Sequence, residues 1–184
     1  MEIVKTPIEG LVEILPNAHD DERGWFLEVF KSSAFKSIAP DVRFVQDNLS
    51  SSKKGVIRGL HLQLAPHQQA KLVAVLKGKV VDIVVDLRKG SVTFGKTHSC
   101  VLDEHSKRML YVPEGFAHGF ATLEDAIFFY KCSSEYHPGH EAGIKWNDPT
   151  LKLDWKIDNP ILSEKDRSLP SLEDLLIKSV ISPC

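Results

Sequence analysis

Short apolar segments rich in β-branched residues run along most of the chain, broken by Gly, Pro, Asn and Asp about every ten residues, a spacing that predicts a sandwich or barrel. The strongest pattern is Lys71 to Leu76, a Lys77-Gly78 turn and Lys79 to Leu87, which reads as a hairpin. In its second strand Val81, Ile83, Val85 and Leu87 share one face, while Val80, Asp82, Val84 and Asp86 share the other. The first face is packed core. The second mixes valines with carboxylates and is either solvent-facing or the polar lumen of a barrel. Further strands are expected over Gly10 to Ile14, Trp25 to Phe30, Val42 to Asp47, Arg108 to Val112, Gly119 to Thr122 and Ala126 to Lys131. Helices are few: Ser32 or Ser33 caps a short turn through Ile38 that Pro40 ends, and Ser171-Leu172-Glu173-Asp174 starts a capped helix. The expected fold is all-β, a barrel with a few short peripheral helices.

Composition narrows this picture. With 184 residues, no repeat and no Gly/Ser linker, the chain is expected to form a single domain over residues 1–184. Charged residues make up 26%, too ordinary a share for a disordered chain. A net charge of −2, from 23 basic and 25 acidic residues, argues against nucleic acid as a partner. Cys100, Cys132 and Cys184 form an odd set without paired spacing, which suits a reducing compartment and gives no disulfide framework or zinc knuckle. The first residues lack the charged and apolar regions of a signal peptide, and Lys or Asp interrupts every apolar stretch. A cytoplasmic protein with no membrane contact is expected.

Four polar clusters interrupt the strand pattern: Asp21 to Glu28, Gln46-Asp47-Asn48, Arg58 to Gln63, and Pro113 to Phe120. Each alone reads equally as a turn, a cap or a histidine satisfied by a carbonyl; four in one small β domain suggest a site. Gly55 followed by His61 and the Pro113-x-Gly115-x-x-His118 spacing resemble the motif pair of the cupin barrels. The metal-binding cupins carry His-x-His and a Glu in the first motif. Here Gln63 stands at the second position, and Pro66-His67-Gln68-Gln69 follows without a Glu. His61 and His118 with His67 would make a three-ligand catalytic metal site. A metal-free barrel whose histidines do acid–base work fits the depleted ligand set better.

Longer blocks sharpen the resemblance. Asp21-Glu22-Arg23-Gly24, Val45-Gln46-Asp47-Asn48, Val56 to His61, Lys71-Leu72-Val73, Val85 to Arg88, Val112 to Phe120, Trp146 to Pro149 and Leu162 to Asp166 follow one another in order. They resemble the dTDP-4-dehydrorhamnose 3,5-epimerases from about Lys5 to Pro170, with the Pro-Glu-Gly-Phe-Ala-His-Gly-Phe string the most specific piece. The resemblance implies a metal-free and cofactor-free, homodimeric cupin-type double-stranded β-helix (jelly-roll barrel). It implies inversion of C3 and C5 of a nucleotide-linked 4-keto-6-deoxyhexose, with relatives acting at C3 alone or on other nucleotide sugars as the alternative.

By the same resemblance His61 is the general base, Asp166 orients it, Tyr130 returns a proton from the opposite face and Lys71 stabilises the enolate oxygen. Asp82 is the rival carboxylate, placed by strand alternation to orient His118. Arg23 and Arg58 are implied for the diphosphate, with Phe26, Glu28, Gln46, Asp47, Asn48, His118, Glu141 and Lys165 at further substrate positions. Tyr136 competes with Tyr130 but falls in a loop running to Pro138. Arg23 and Glu28 are expected to serve the neighbouring subunit's site. The Ala65 to Ala70 loop departs in composition from the family's Gly-rich version, which alters the pocket rim.

Overall fold

The computed structural model describes residues 1–182; Cys184 lies outside them. In chain order the strands are β1 (Glu2–Lys5), β2 (Val12–Leu15), β3 (His19–Asp21), β4 (Gly24–Phe26), β5 (Gln46–Ser52), β6 (Ile57–Gln63), β7 (Lys71–Lys77) and β8 (Lys79–Asp86). They continue with β9 (Thr97–Asp103), β10 (Met109–Val112), β11 (Phe116–Thr122), β12 (Ala126–Cys132) and β13 (Glu141–Gly143). The described residues also form three short α-helices, α1 (Ser32–Phe35), α2 (Glu164–Arg167) and α3 (Leu172–Ile177), and a 3-10 turn at Pro138–His140. No helix of the described residues is long and apolar enough to cross a membrane.

Two antiparallel sheets face each other. One runs β1-β2-β10-β7-β12-β5 and the other β13-β6-β11-β8-β9. This is the expected jelly-roll barrel with short peripheral helices. The two apolar strands expected to form a hairpin belong to different sheets, which corrects that reading: β7 pairs with β10 and β12, and β8 with β9 and β11. Gly78 makes the corner. Its φ is +79°, its N–H donates to Glu104 Oε1 at 2.8 Å, and an added Cβ would lie 2.1 Å from the Asp125 carbonyl oxygen. A turn signal between two apolar runs marks where the chain reverses, but not which sheet receives the second run.

Strand alternation divides the apolar side chains among three cores. Val73, Val75, Val80, Val84, Phe120 and Phe128 pack between the sheets. Val81, Ile83, Val85 and Leu87 instead point outward, where the C-terminal segment covers them with Trp155, Leu172 and Leu175. Leu72, Ala74 and Tyr111 share the outer face of the other sheet, and Phe35 packs against it. The face holding Asp82 and Asp86 is therefore the barrel interior, and both carboxylates are fully buried.

Several boundaries move. The strand expected over Val42 to Asp47 starts at Gln46 and runs on to Ser52, the Trp25 to Phe30 run yields only the short β4, and β11 begins earlier, at Phe116. α1 is capped by the backbone of Lys31 without a side-chain bond, so neither Ser32 nor Ser33 is the cap. At α3 the Ser171–Asp174 capping box forms as the sequence predicts.

Candidate active site

The interior opens into a cavity of about 280 Å3 at one end of the barrel, lined by Arg58, His61, Lys71, His118, Tyr130 and Asp166 among others. Both walls contribute. Arg58 and His61 stand on β6 and His118 on β11 of one sheet, while Lys71 starts β7 and Tyr130 sits on β12 of the other. Alternation along β12 turns Tyr130 to the same side as Phe128, against the inner core.

His61 and His118 are direct partners across the β6–β11 ladder, and each holds a different carboxylate. His61 Nε2 lies 2.6 Å from Asp166 Oδ1, and His118 Nε2 lies 2.8 Å from Asp82 Oδ2. The Asp82–Asp166 rivalry is resolved by geometry: Asp166 meets His61, and Asp82 meets His118. Asp166 is brought in by α2, whose N-cap Ser163 accepts from the Asp166 N–H and donates its hydroxyl to Asp166 Oδ2 at 2.9 Å. Asp166 thus sits inside the first turn of α2, bonded both to its N-cap Ser163 and to His61. Burial pushes the Asp166 carboxyl up, but its bonds to His61 and Ser163 outweigh this and hold it below the usual carboxylate range.

Burial pulls the Lys71 ammonium below its ordinary pKa, opposed by Cys132, Asp82 and Glu141. Burial likewise lifts the Tyr130 phenol, helped by Cys132 and Glu141 against the nearby Arg58. At neutral pH Tyr130 therefore keeps its proton. The Arg58 guanidinium is braced at the mouth by Ser52 Oγ at 2.9 Å and the Ser51 carbonyl at 3.3 Å.

An adjoining cavity shares His61, Lys71 and Tyr130 and adds Gln46, Asn48 and Glu141. Glu141 accepts from Lys165 Nζ at 2.6 Å and from the Tyr136 hydroxyl at 2.8 Å. Burial raises the Glu141 pKa, yet these donors leave it lower than usual. Tyr136 thus joins the cavity wall from its loop as a partner of Glu141. Gln63, from the Arg58 to Gln63 cluster, also lines these cavities, as do Ser50, Gln69 and Ser163, which the sequence reading does not name as site residues. For Ser50 a signal existed: Gln46, Asn48 and Ser50 are every second residue of β5, so one inward residue implied the others.

Four expected positions stand elsewhere in the single chain. Asp47 points away from the cavity on β5 and pairs with Lys131 at 2.6 Å. Arg23 is exposed and bonded to Asp21, Phe26 is 69% exposed, and Glu28 pairs with Lys31. His67 does not join His61 and His118, which corrects the three-ligand metal reading. It packs instead against His137 and His140, with ring centroids 4.1 and 4.6 Å away.

The comparisons with known proteins agree with this geometry. A family model described as dTDP-4-dehydrorhamnose 3,5-epimerase matches residues 5–174. The enzyme of that name from Methanothermobacter thermautotrophicus is 45% identical over 175 residues, spanning 93% of this chain and 94% of the relative. The crystal structure of the enzyme of that name from Elizabethkingia anophelis has a TM-score of 0.90 at 47% identity, covering 95% of this chain and 97% of that one. A Legionella pneumophila dTDP-6-deoxy-D-glucose-3,5-epimerase, solved in complex with dTDP-4-keto-L-rhamnose, gives a TM-score of 0.93 at 42% identity, with 100% and 98% coverage. A match over nearly the whole length, on the same two-sheet barrel, shows that this chain belongs to the dTDP-4-dehydrorhamnose 3,5-epimerase family.

Proposed function

We propose that this chain converts dTDP-4-dehydro-6-deoxy-D-glucose to dTDP-4-dehydro-L-rhamnose by proton abstraction and return at C3 and C5. One observation carries the reading: a histidine–carboxylate pair on one wall of the cavity faces a protonated tyrosine and a lysine on the other. The C4 ketone acidifies both neighbouring carbons, so loss of either proton gives an enolate delocalised onto O4. No electrons change hands, and the chain's own acid–base groups suffice for every proton movement.

The roles that the family resemblance implies are compatible with this geometry. With Nε2–H donated to Asp166, His61 Nδ1 carries the lone pair that takes the carbon proton, and Asp166 supports the imidazolium that results. Lys71 supplies a donor for the O4 charge in a site sheltered from water. Tyr130 gives a proton to the opposite face of the planar enolate, and that change of face is the inversion. Arg58 offers its fork to the diphosphate at the mouth. His118, Gln46, Asn48, Glu141 and Lys165 supply donors and acceptors for the sugar and base. The relatives reported above carry the 3,5 name, which favours inversion at both carbons over inversion at C3 alone.

A homodimer extends this reading. Trp25 and Phe26 are 57% and 69% exposed on the β3–β4 hairpin beside Arg23, which supports a role for Arg23, Phe26 and Glu28 in the site of a neighbouring copy. A monomeric variant with full turnover would overturn that part. Free, buried Cys100 and Cys132 fit a reducing cytoplasm.

The decisive test incubates the protein with dTDP-4-keto-6-deoxyglucose in D2O and follows C3 and C5 by proton NMR. Loss of both signals is expected, with a reductase trapping the L-rhamno product. Loss at C3 alone would make the chain a mono-epimerase. No exchange at either carbon would overturn the assignment.

A further inference from the structure

Outside the residues that line the reaction cavity, His67, His137 and His140 form a cluster of three ligating side chains. His67 lies in the loop after β6, while His137 is the N-cap and His140 the last residue of a single 3-10 turn before β13. One ring nitrogen from each lies within 4.8 Å of those of the other two. The local sequence places them there. In His137-Pro138-Gly139-His140, Pro138 opens a turn of three residues per rotation, which stacks positions i and i+3 on one side. The loop bearing His67 is fastened to that turn: Leu64 N–H donates to the His140 carbonyl at 2.7 Å, and His137 N–H donates to Gln63 Oε1 at 2.8 Å. Both segments are therefore fixed before any ligand arrives.

We propose that His67, His137 and His140 form a three-imidazole binding site for a borderline divalent transition ion, Zn2+ above all, that clamps the loop after β6 to the segment leading into β13. Three imidazoles leave one position of a tetrahedron for water, a donor set that Zn2+ accepts and that Mg2+ or Ca2+ does not favour. The tautomer of one ligand is already set. His140 Nδ1–H donates to the Ala65 carbonyl at 3.2 Å, leaving Nε2 unprotonated and available, as a backbone carbonyl commonly does behind a metal-bound histidine. Tetrahedral Zn–N bonds of about 2.0–2.1 Å would separate the donor atoms by about 3.3 Å. Closing from the present separation takes side-chain rotation that unstacks His67 from His137, and His137 is exposed enough to turn.

This site is separate from the acid–base pair, since His61 and His118 each spend Nε2 on a carboxylate. It bears on the cavity through Gln63, which holds His137, and through Glu141, the residue after His140.

The test titrates ZnCl2 into the full chain, free of any affinity tag, by calorimetry after chelator treatment. One equivalent per chain is expected, along with a higher Tm in the presence of zinc. Separate His67→Gln, His137→Gln and His140→Gln variants should each bind zinc at least about tenfold more weakly and lose the Tm gain, whereas His105→Gln should match the parent. Melting without metal confirms that each variant folds. No saturable zinc binding by the parent, or binding that survives the His67, His137 and His140 variants and disappears in His61→Gln, would overturn the proposal.

Discussion

His61–Asp166 and His118–Asp82 are the same chemical pair on adjacent positions of one ladder, and only their surroundings distinguish them. In the first pair the side chains are 28% and 6% exposed; in the second they are 7% and 0% exposed. Asp82 lies on β8, diagonally across from His118 in the strand pairing, and is locked there by the sheet itself. Asp166 comes instead from a one-turn helix more than a hundred residues along the chain from His61. A base must meet substrate and shed its proton afterwards, which the open pair permits. The sealed pair is suited to holding a wall of the cavity in one position.

Single substitutions should separate the two pairs. His61→Ala removes the proposed base, so kcat should fall by about 10^3 to 10^4 and deuterium exchange should stop at both C3 and C5. Exchange surviving in this variant would reassign the base. Tyr130→Phe should cost about 10^2 to 10^3 in product formation while leaving exchange on the His61 side, because the first deprotonation does not need the phenol. If exchange and product formation fell together, Tyr130 would be acting in the first step.

The two carboxylates give the sharpest contrast. Asp166→Asn should lower kcat by about tenfold or more with a modest change in Tm. Asp82→Asn should cost about 1–3 kcal/mol of stability with a smaller effect on kcat, because the altered contact is fully buried. Parallel kinetics and thermal melts read both quantities, and equal effects on both would erase the distinction drawn here.

Acid provides a further test. The Asp166 carboxyl titrates below its unfolded value of about 4, so its contribution is complete above that pH and is lost as pH falls through the folded value. The Tm gap between the parent and Asp166→Asn should therefore shrink as pH drops below about 4. A gap that widened on acidification would give the shift the opposite sign. Arg58→Ala should have the smallest effect, a rise in KM of about tenfold that shrinks at high salt. Unchanged affinity would place the diphosphate elsewhere.

Much of the site could be read from the chain because its groups sit on strands with a two-residue period. Once Val80 and Val84 are inward, Asp82 must be inward as well, and Tyr130 follows Phe128 in the same way. The block resemblance added His61, Lys71 and Asp166, which have no common period. Period in turn argues against Asp47, which the resemblance placed among the substrate positions: its neighbours Gln46 and Asn48 face the cavity, so it faces away. Local pattern did fail at the Lys77-Gly78 turn. Strands β7 and β8 are apolar on both faces because both are central strands, and nothing in either marks which sheet it joins.

The sequence by itself therefore determined the β architecture, which side chains share a face of each strand and the kinds of acid and base available, because these depend on local periodicity and residue chemistry. The tertiary structure decided which carboxylate meets which histidine, that His67 joins His137 and His140 rather than His61, and that the chain changes sheets at Gly78. Those outcomes turn on contacts between segments far apart in the chain, where the packing of whole sheets outweighs any local preference.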